Sequence, residues 1–260
     1  MHGVALAQTS PPGHTDGSWA PGPLRPHLAE GAVHVWRADL TAVSGDLIEL
    51  LSTNERSRAQ RFLRARDGEL WARAHGVLRV LLGRYLEAEP RRLSFASGEH
   101  GKPALLDDSV RAPAEETDAT ATPMGLSFNL SHSKHVALYA FTRIGPIGVD
   151  IEIARRRIDE VAVTARAIGP AEARRLGGLD EAARQREFLR AWARYEAELK
   201  WRGTGIGGAS PGTDQGEPWV AELEVGDRAA AAVAVERPPR DLSSWVWASP
   251  RPTLNRAWAH

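Results

Sequence analysis

The stretch "LSFNLSHSKHVALYAFTRIGPIGVDIEI" (126–153) decides how this chain is read. It holds two strand-like runs, Val136–Phe141 and Ile147–Ile153, joined at Gly145-Pro146, a pair that punctuates regular structure. The second run carries two carboxylates, Asp150 and Glu152, inside otherwise apolar sequence. A strand's period of two sends both acids to one face and Val149 and Ile151 to the other. Neighbouring carboxylates repel unless something positive sits between them. Hard oxygen donors gathered at one point suit Mg²⁺, which keeps waters and shares its shell with phosphates. Taken alone, the pair fits an edge strand with a solvated acidic face equally well.

Beyond this stretch, residues 159–182 are expected to be helical with a break at Gly169-Pro170. Residues 184–202 form a second helix whose stripe is Phe188, Trp192, Tyr195 and Leu199. "GTGIGG" stops it, and "WVAELEV" and "AAAVAVE" read as a hairpin around Gly226-Asp227. On the N-terminal side, Leu70, Trp71, Ala74, Val77, Leu78, Leu81, Leu82 and Tyr85 recur at helical spacing until Pro90. "AVHVWRADL" (32–40) alternates as a strand, and "RLSFASGEHGKPAL" (92–105) reads as strand, glycine turn, strand. Residues 107–125 are acidic, rich in Thr, Ala and Pro, and without periodicity, which marks an insertion. Strands followed by helices, twice over, predict an α+β fold of two similar lobes rather than a doubly wound parallel sheet. The expected organisation is a mobile leader at 1–31, an N-terminal lobe at 32–125, a C-terminal lobe at 126–248 and a tail at 249–260.

Several classes are disfavoured by composition. Lys and Arg total 33, as do Asp and Glu, so no basic excess marks a general nucleic-acid binder. Cysteine is absent, which removes disulfides, thiolate metal sites and cysteine nucleophiles. No apolar run approaches the length of a membrane span, and the first residues lack the pattern of a secretory signal. A monomeric cytoplasmic protein is expected.

Four further clusters offer chemistry. "FNLSHS" (128–133) places Ser131 beside His132, and hydroxyl and imidazole can both donate to a phosphate. Adjacent strand residues face opposite ways and no G-x-S-x-G elbow is present, so a nucleophilic couple is disfavoured. A turn in which Ser131 or Ser133 binds backbone is an equal alternative. Glu196 and Lys200 lie four apart on the second helix, a spacing that on a lone helix is worth only about 0.2–0.5 kcal/mol. "GKPAL" presents Lys102 on a rigid turn, and "NERSRAQRFLRAR" supplies Arg56, Arg58, Arg61, Arg64 and Arg66. The glycines of "GTGIGG" follow no strand, so the dinucleotide fingerprint fails.

Four blocks, "GKP" (101–103), "FNLSHS" (128–133), "GVDIE" (148–152) and "FLRAWARYEAELKWRGTGI" (188–206), occur in an order that resembles the 4′-phosphopantetheinyl transferases of the large, pseudo-dimeric Sfp type. The resemblance covers roughly residues 33–248. It implies two similar α+β lobes with coenzyme A between them, and transfer of the phosphopantetheine arm to a serine of an apo acyl or peptidyl carrier protein, with release of 3′,5′-ADP. The carrier would serve fatty-acid, polyketide or non-ribosomal peptide synthesis. By the same resemblance Asp150, Glu152 and Glu172 would hold Mg²⁺. Glu196 would be a metal-side residue or the base for the carrier serine. Lys200 would neutralise the pyrophosphate, and Lys102, Ser131, His132 and Arg58 would bind coenzyme A phosphates.

One departure stands out. The usual W-x-x-K-E-A block reads Trp192-Ala-Arg-Tyr195-Glu196-Ala197, so a tyrosine replaces a lysine. Helical geometry puts Tyr195 on the apolar stripe and turns Arg194 away. A non-catalytic coenzyme A or carrier-binding relative is the competing expectation, opposed by retention of Asp150, Glu152, Glu196 and Lys200. A metal-dependent phosphohydrolase is disfavoured for want of a histidine or aspartate cluster.

Overall fold

A computed structural model describes residues 19–97, 103–106, 125–154, 158–204 and 216–248. Ten strands, two 3₁₀ turns and five α-helices run along the described chain as a mixed α+β architecture. A short β1 (Ala20–Pro21) precedes β2 (Ala32–Asp39). A 3₁₀ turn (Gly45–Leu50), α1 (Thr53–Gln60) and α2 (Ala65–Leu86) follow. Next come a second 3₁₀ turn (Pro90–Arg92), β3 (Phe95–Ser97) and β4 (Pro103–Leu105). Then β5 (Ser127–Ser133), β6 (Val136–Thr142) and β7 (Ile147–Ile153) lead into α3 (Glu160–Ala167), α4 (Pro170–Gly177) and α5 (Glu181–Arg202). The hairpin of β8 (Trp219–Leu223) and β9 (Ala229–Val235) and the strand β10 (Asp241–Val246) complete it.

These strands make three sheets, ordered β1-β10-β2-β6-β5, β3-β4 and β7-β9-β8. Local sequence sets the layering. On β2 and β6 one alternating set, Trp36, Ala38, Tyr139 and Phe141, meets α2 at Ala74, Val77, Leu78, Leu81 and Tyr85. The opposite set, Val33, Val35, Leu138 and Ala140, meets Val149, Ile151, Val233 and Val235 of the three-stranded sheet. The far face of that sheet offers Ala230, Ala232 and Ala234 to Leu189, Ala193, Ala197 and Trp201 of α5. The order is helix, sheet, sheet, helix, with an apolar cluster at each interface.

Sequence dictates both long helices. α2 starts after Arg64, stops at Glu87 in the left-handed region (φ 51°), and Pro90 follows. α5 begins where the Asp180 side chain accepts from Ala183 N–H at 2.9 Å and ends at Gly203 with φ 73°. Arg79, 1% exposed, ties the N-terminal elements together. It donates to Glu55 at 2.6 Å and to the carbonyls of Pro90 and Leu93 at 2.8 Å, while Glu55 also completes the capping box of α1.

Strand pairing crosses two of the expected boundaries. The leader was expected to reach residue 31, yet Ala20 and Pro21 pair in parallel with β10 and Leu28 is buried. A division at 125 was also expected, but the five-stranded sheet crosses it, because β2 pairs antiparallel with β6 and parallel with β10. Strand pairing is non-local, and a change in composition does not report it. Residues 1–18, 107–124 and 249–260, which include most of the leader, the insertion and the tail, lie outside the described residues.

Candidate active site

The site begins with the pleat of β7. Ile147, Val149 and Ile151 enter the core between the sheets, and Gly148, Asp150 and Glu152 turn to the α5 side, opposite Ala234, Ala232 and Ala230 of β9. Small partners let α5 lie close. A Cβ on Gly148 would sit 1.9 Å from Ala197 O and 2.5 Å from Trp201 N, so only glycine permits this approach. The close packing brings Lys200 Nζ to Asp150 Oδ1 at 2.7 Å and to Val149 O at 3.2 Å.

Side chains of β5 hold the other edge of β7. Asn129 Oδ1 accepts from Val149 N–H at 2.8 Å, Ser131 Oγ from Ile151 N–H at 3.4 Å, and Ser133 Oγ from Ile153 N–H at 3.2 Å. Three alternate polar residues replace a backbone ladder and join the two large sheets. The same hydroxyls reach the acids: Ser131 donates to Asp150 Oδ1 at 2.7 Å, and Ser133 to Glu152 Oε2 at 3.5 Å.

Charge is concentrated here under partial burial. Asp150 is 4% exposed and Ser131 6%. Burial, followed by the Asp150 charge, pushes the Glu196 carboxyl above its usual range; Glu152 adds to the rise and Lys200 opposes it. These four groups therefore share one electrostatic environment. Two buried carboxylate oxygens in it, Asp150 Oδ2 and Glu196 Oε1, have no hydrogen-bond partner among the described residues. Unpartnered buried carboxylate oxygens are costly unless a cation or proton meets them. Such donors fit Mg²⁺, which takes one or two protein carboxylates and completes its shell with water and phosphate. Among the described residues no three acidic or histidine side chains converge at metal-ligating range.

The expected site residues thus separate. Asp150, Glu152, Glu196 and Lys200 come together. Ser131, expected as a phosphate-binding residue, joins them as a buried partner of Asp150, because on β5 the odd-numbered residues face β7. His132 lies on the other face with Phe128 and Leu130, is exposed, and its charge bears on His75 of α2. Arg58 belongs to that second group, with its guanidinium 5.3 Å from the Trp71 ring and its charge also bearing on His75. The partners of Glu172 among the described residues are arginines. Arg175 holds it at 2.8 Å and lowers its carboxyl, with the Arg194 charge adding to the effect, and Arg175 also binds Glu187. Lys102 is outside the described residues. Arg194 points away to Glu222 at 2.6 Å, and Tyr195 packs 5.8 Å from Trp192, as helical spacing predicts.

Sequence reasoning missed Gly148, Asn129 and His75, and it gave Ser133 a backbone partner within a turn where the structure has that partner on another strand. The signal for Asn129 and Ser133 was present: polar residues at 129, 131 and 133 match the strand at 149, 151 and 153 with a constant offset. His75 stacks on Trp71 at 3.8 Å and lies 3.8 Å from Glu55; burial pulls its imidazole down to about 3.

Comparison with known proteins adds an independent line. The family model described as the 4′-phosphopantetheinyl transferase superfamily matches residues 146–248. The chain is 34% identical over 233 residues to the 4′-phosphopantetheinyl transferase HetI of Nostoc sp. strain PCC 7120, an alignment covering 84% of this chain and 93% of that protein. It is 33% identical over 159 residues to a putative 4′-phosphopantetheinyl transferase of Synechocystis sp. strain PCC 6803, covering 61% of this chain and 59% of that one. The matched segment contains Asp150, Glu152, Glu196 and Lys200.

Proposed function

The chain belongs to the 4′-phosphopantetheinyl transferase superfamily and is an enzyme of that class, and from that premise we propose that it moves the phosphopantetheine arm of coenzyme A onto a serine of an acyl or peptidyl carrier protein. The observation that carries this reading is the meeting of Asp150, Glu152, Glu196 and Lys200 where α5 lies on β7, with two buried carboxylate oxygens left unpartnered. In the reaction the serine oxygen bonds to the β-phosphorus, the bridging P–O bond breaks, and its electron pair leaves with 3′,5′-ADP. Glu196 receives the serine proton. Lys200 keeps a cation beside the oxygens where charge grows. Asp150 and Glu152 would hold Mg²⁺, which supplies charge neutralisation at the pyrophosphate when bound. His132, Arg58 and Lys102 would hold coenzyme A phosphates, and Glu172 serves the α4–α5 contact through Arg175.

The large, pseudo-dimeric form is part of the same proposal. Its support is that each of the two larger sheets carries one 22-residue helix on its outer face, α2 on one and α5 on the other. No helix among the described residues is long and apolar enough to cross a membrane, which fits carrier-protein partners free of the bilayer.

Intact-mass spectrometry of apo carrier proteins incubated with the protein, coenzyme A and Mg²⁺ tests the reading. The expected result is a phosphopantetheine mass gain, abolished by EDTA and by removing the carrier serine. Asp150→Ala should slow it by about 100-fold or more. A variant as fast as wild type would overturn the assignment of Asp150.

A further inference from the structure

Lys200 is itself a cation seated on a carboxylate that the transferase reading gives to a metal. Its Nζ lies 2.7 Å from Asp150 Oδ1 and 3.2 Å from Val149 O, so the ammonium is held by the acid and by the β7 backbone at once. The Asp150 side chain is 6% exposed and that of Lys200 27%. A buried acid thus carries a counter-charge whose stem still opens to solvent. Burial makes the pairing matter, since a carboxylate removed from water needs a positive partner.

Two cations share one carboxylate only at a cost. Asp150 Oδ2 and Glu196 Oε1 are buried and have no hydrogen-bond partner among the described residues, which suits them to a metal. A divalent ion on Oδ2 and an ammonium on Oδ1 repel each other across the same carboxylate, where little water screens them. The lysine that neutralises Asp150 therefore opposes the metal that the neighbouring oxygens invite.

Local structure supplies the release. Lysine carries its charge on a flexible four-carbon stem and makes no rigid fork. Ser131 also donates to Asp150 Oδ1 at 2.7 Å, so the carboxylate stays anchored when the ammonium leaves. A pyrophosphate offers that ammonium several charged oxygens in place of one. Resting on the transferase reading, we propose that Lys200 is a resident competitor of the metal: it occupies Asp150 until coenzyme A draws it onto the pyrophosphate, and so makes coenzyme A and metal bind cooperatively. The coupling is reciprocal, because each ligand must raise the affinity of the other by the same factor.

The test uses Mn²⁺ as the probe, followed by the paramagnetic resonance signal of the free ion, with and without coenzyme A and with no carrier present. It compares wild type with Lys200→Met, Lys200→Arg and Arg202→Met, each shown to be folded by its urea midpoint; Lys200→Gln replaces a methionine variant that does not fold. Without coenzyme A, Lys200→Met should bind Mn²⁺ about tenfold more tightly than wild type, although the site has lost a residue. Its affinity for coenzyme A, measured by calorimetry in EDTA, should fall by about tenfold, and the factor by which coenzyme A tightens Mn²⁺ should shrink. Lys200→Arg keeps the charge and should bind Mn²⁺ alone as weakly as wild type. Arg202→Met removes a cation that Glu198 holds at 2.6 Å on the same helix, and it should leave Mn²⁺ binding unchanged. Unchanged or weaker Mn²⁺ binding by Lys200→Met overturns the competition and leaves the transferase reading, which the carrier mass gain tests, standing. An equal gain in Arg202→Met also overturns it, because the effect would then be one of net charge. Wild type that binds no Mn²⁺ with or without coenzyme A removes the metal assignment and the competition with it.

Discussion

Ser131 donates to Asp150 Oδ1 at 2.7 Å, and that same oxygen receives Lys200 Nζ at 2.7 Å, so one carboxylate oxygen is fixed from both sides. The arrangement leaves Asp150 Oδ2 as the oxygen free to act on a ligand. Ser131 is a positioning residue in this account, and its hydroxyl also accepts the Ile151 N–H that keeps β7 against β5.

Ser131→Ala should therefore have two separable effects. Stability should fall by about 1–3 kcal/mol, since a buried N–H and a buried carboxylate oxygen each lose a partner. In addition kcat should drop by about tenfold under conditions where the variant is fully folded, with KM for coenzyme A little changed. Ser131→Thr, which retains the hydroxyl, should recover most of the lost kcat. Denaturant titration alongside steady-state kinetics separates the effects, and a kcat equal to wild type would show that Asp150 needs no such anchor.

Gly148→Ala tests the approach of α5. The added methyl would lie 1.9 Å from the Ala197 carbonyl, a backbone atom that cannot swing aside, so the whole helix must move. A displacement of this kind carries Glu196 and Lys200 away from Asp150, and misplacement near 1 Å can cost about 100-fold in rate. The variant should remain folded with a lowered denaturation midpoint and lose about 100-fold in kcat. Near-normal turnover would mean that the helix is not what sets the spacing.

Sequence made part of this legible and hid the rest for physical reasons. The alternation in "IGVDIEI" places Asp150 and Glu152 on one face, and the helical spacing of Glu196 and Lys200 puts both on one side of α5; both patterns are local and survive into the structure. Ser131 was harder to read, because its partners are Asp150 and a backbone N–H contributed by another strand. Glu172 was chosen for its place along the chain, although Arg175 three residues on already offered it a local partner. The crossing of residue 125 by the five-stranded sheet was hidden for a similar reason: an insertion changes composition locally, while β2 finds β6 and β10 far along the chain.

Two buried histidines should weaken the fold in acid. His34 is 4% exposed; its Nδ1 lies 2.9 Å from Tyr85 Oη, which already accepts from Trp36 Nε1 at 2.8 Å. Burial pulls His34 down to about 4 and His75 to about 3. The ordinary unfolded value is about 6.5, so below it the unfolded chain binds protons that the folded protein refuses. Stability is complete above pH 6.5 and should decline steadily as pH falls toward 4 and then 3, by a few kcal/mol in all. His34→Asn keeps an acceptor for the Tyr85 hydroxyl without titrating, and it should flatten the upper part of that decline. Urea midpoints taken between pH 7 and 4 decide the matter; a variant with the same slope as wild type would remove His34 from the explanation.

Tyr195 is the residue whose replacement should improve the enzyme. It is half-buried on the aromatic run Phe188–Trp192–Tyr195 and precedes Glu196, where the W-x-x-K-E-A block that the sequence resembles would place lysine. Lysine at 195 could lay its stem along Trp192 and lift its ammonium toward solvent beside the acids, adding a cation near the pyrophosphate. At a half-exposed position such a charge is worth about 0.5–1 kcal/mol, which corresponds to a two- to fivefold lower KM for coenzyme A. Stability should fall slightly, because the lysine stem replaces only part of the contact that the tyrosine ring makes. Measuring KM for coenzyme A at low and high salt gives the discriminating result: the gain should shrink as ionic strength rises. If Tyr195→Lys leaves KM unchanged or raises it, the tyrosine is acting as a packing or hydroxyl contact that suits this site better than charge.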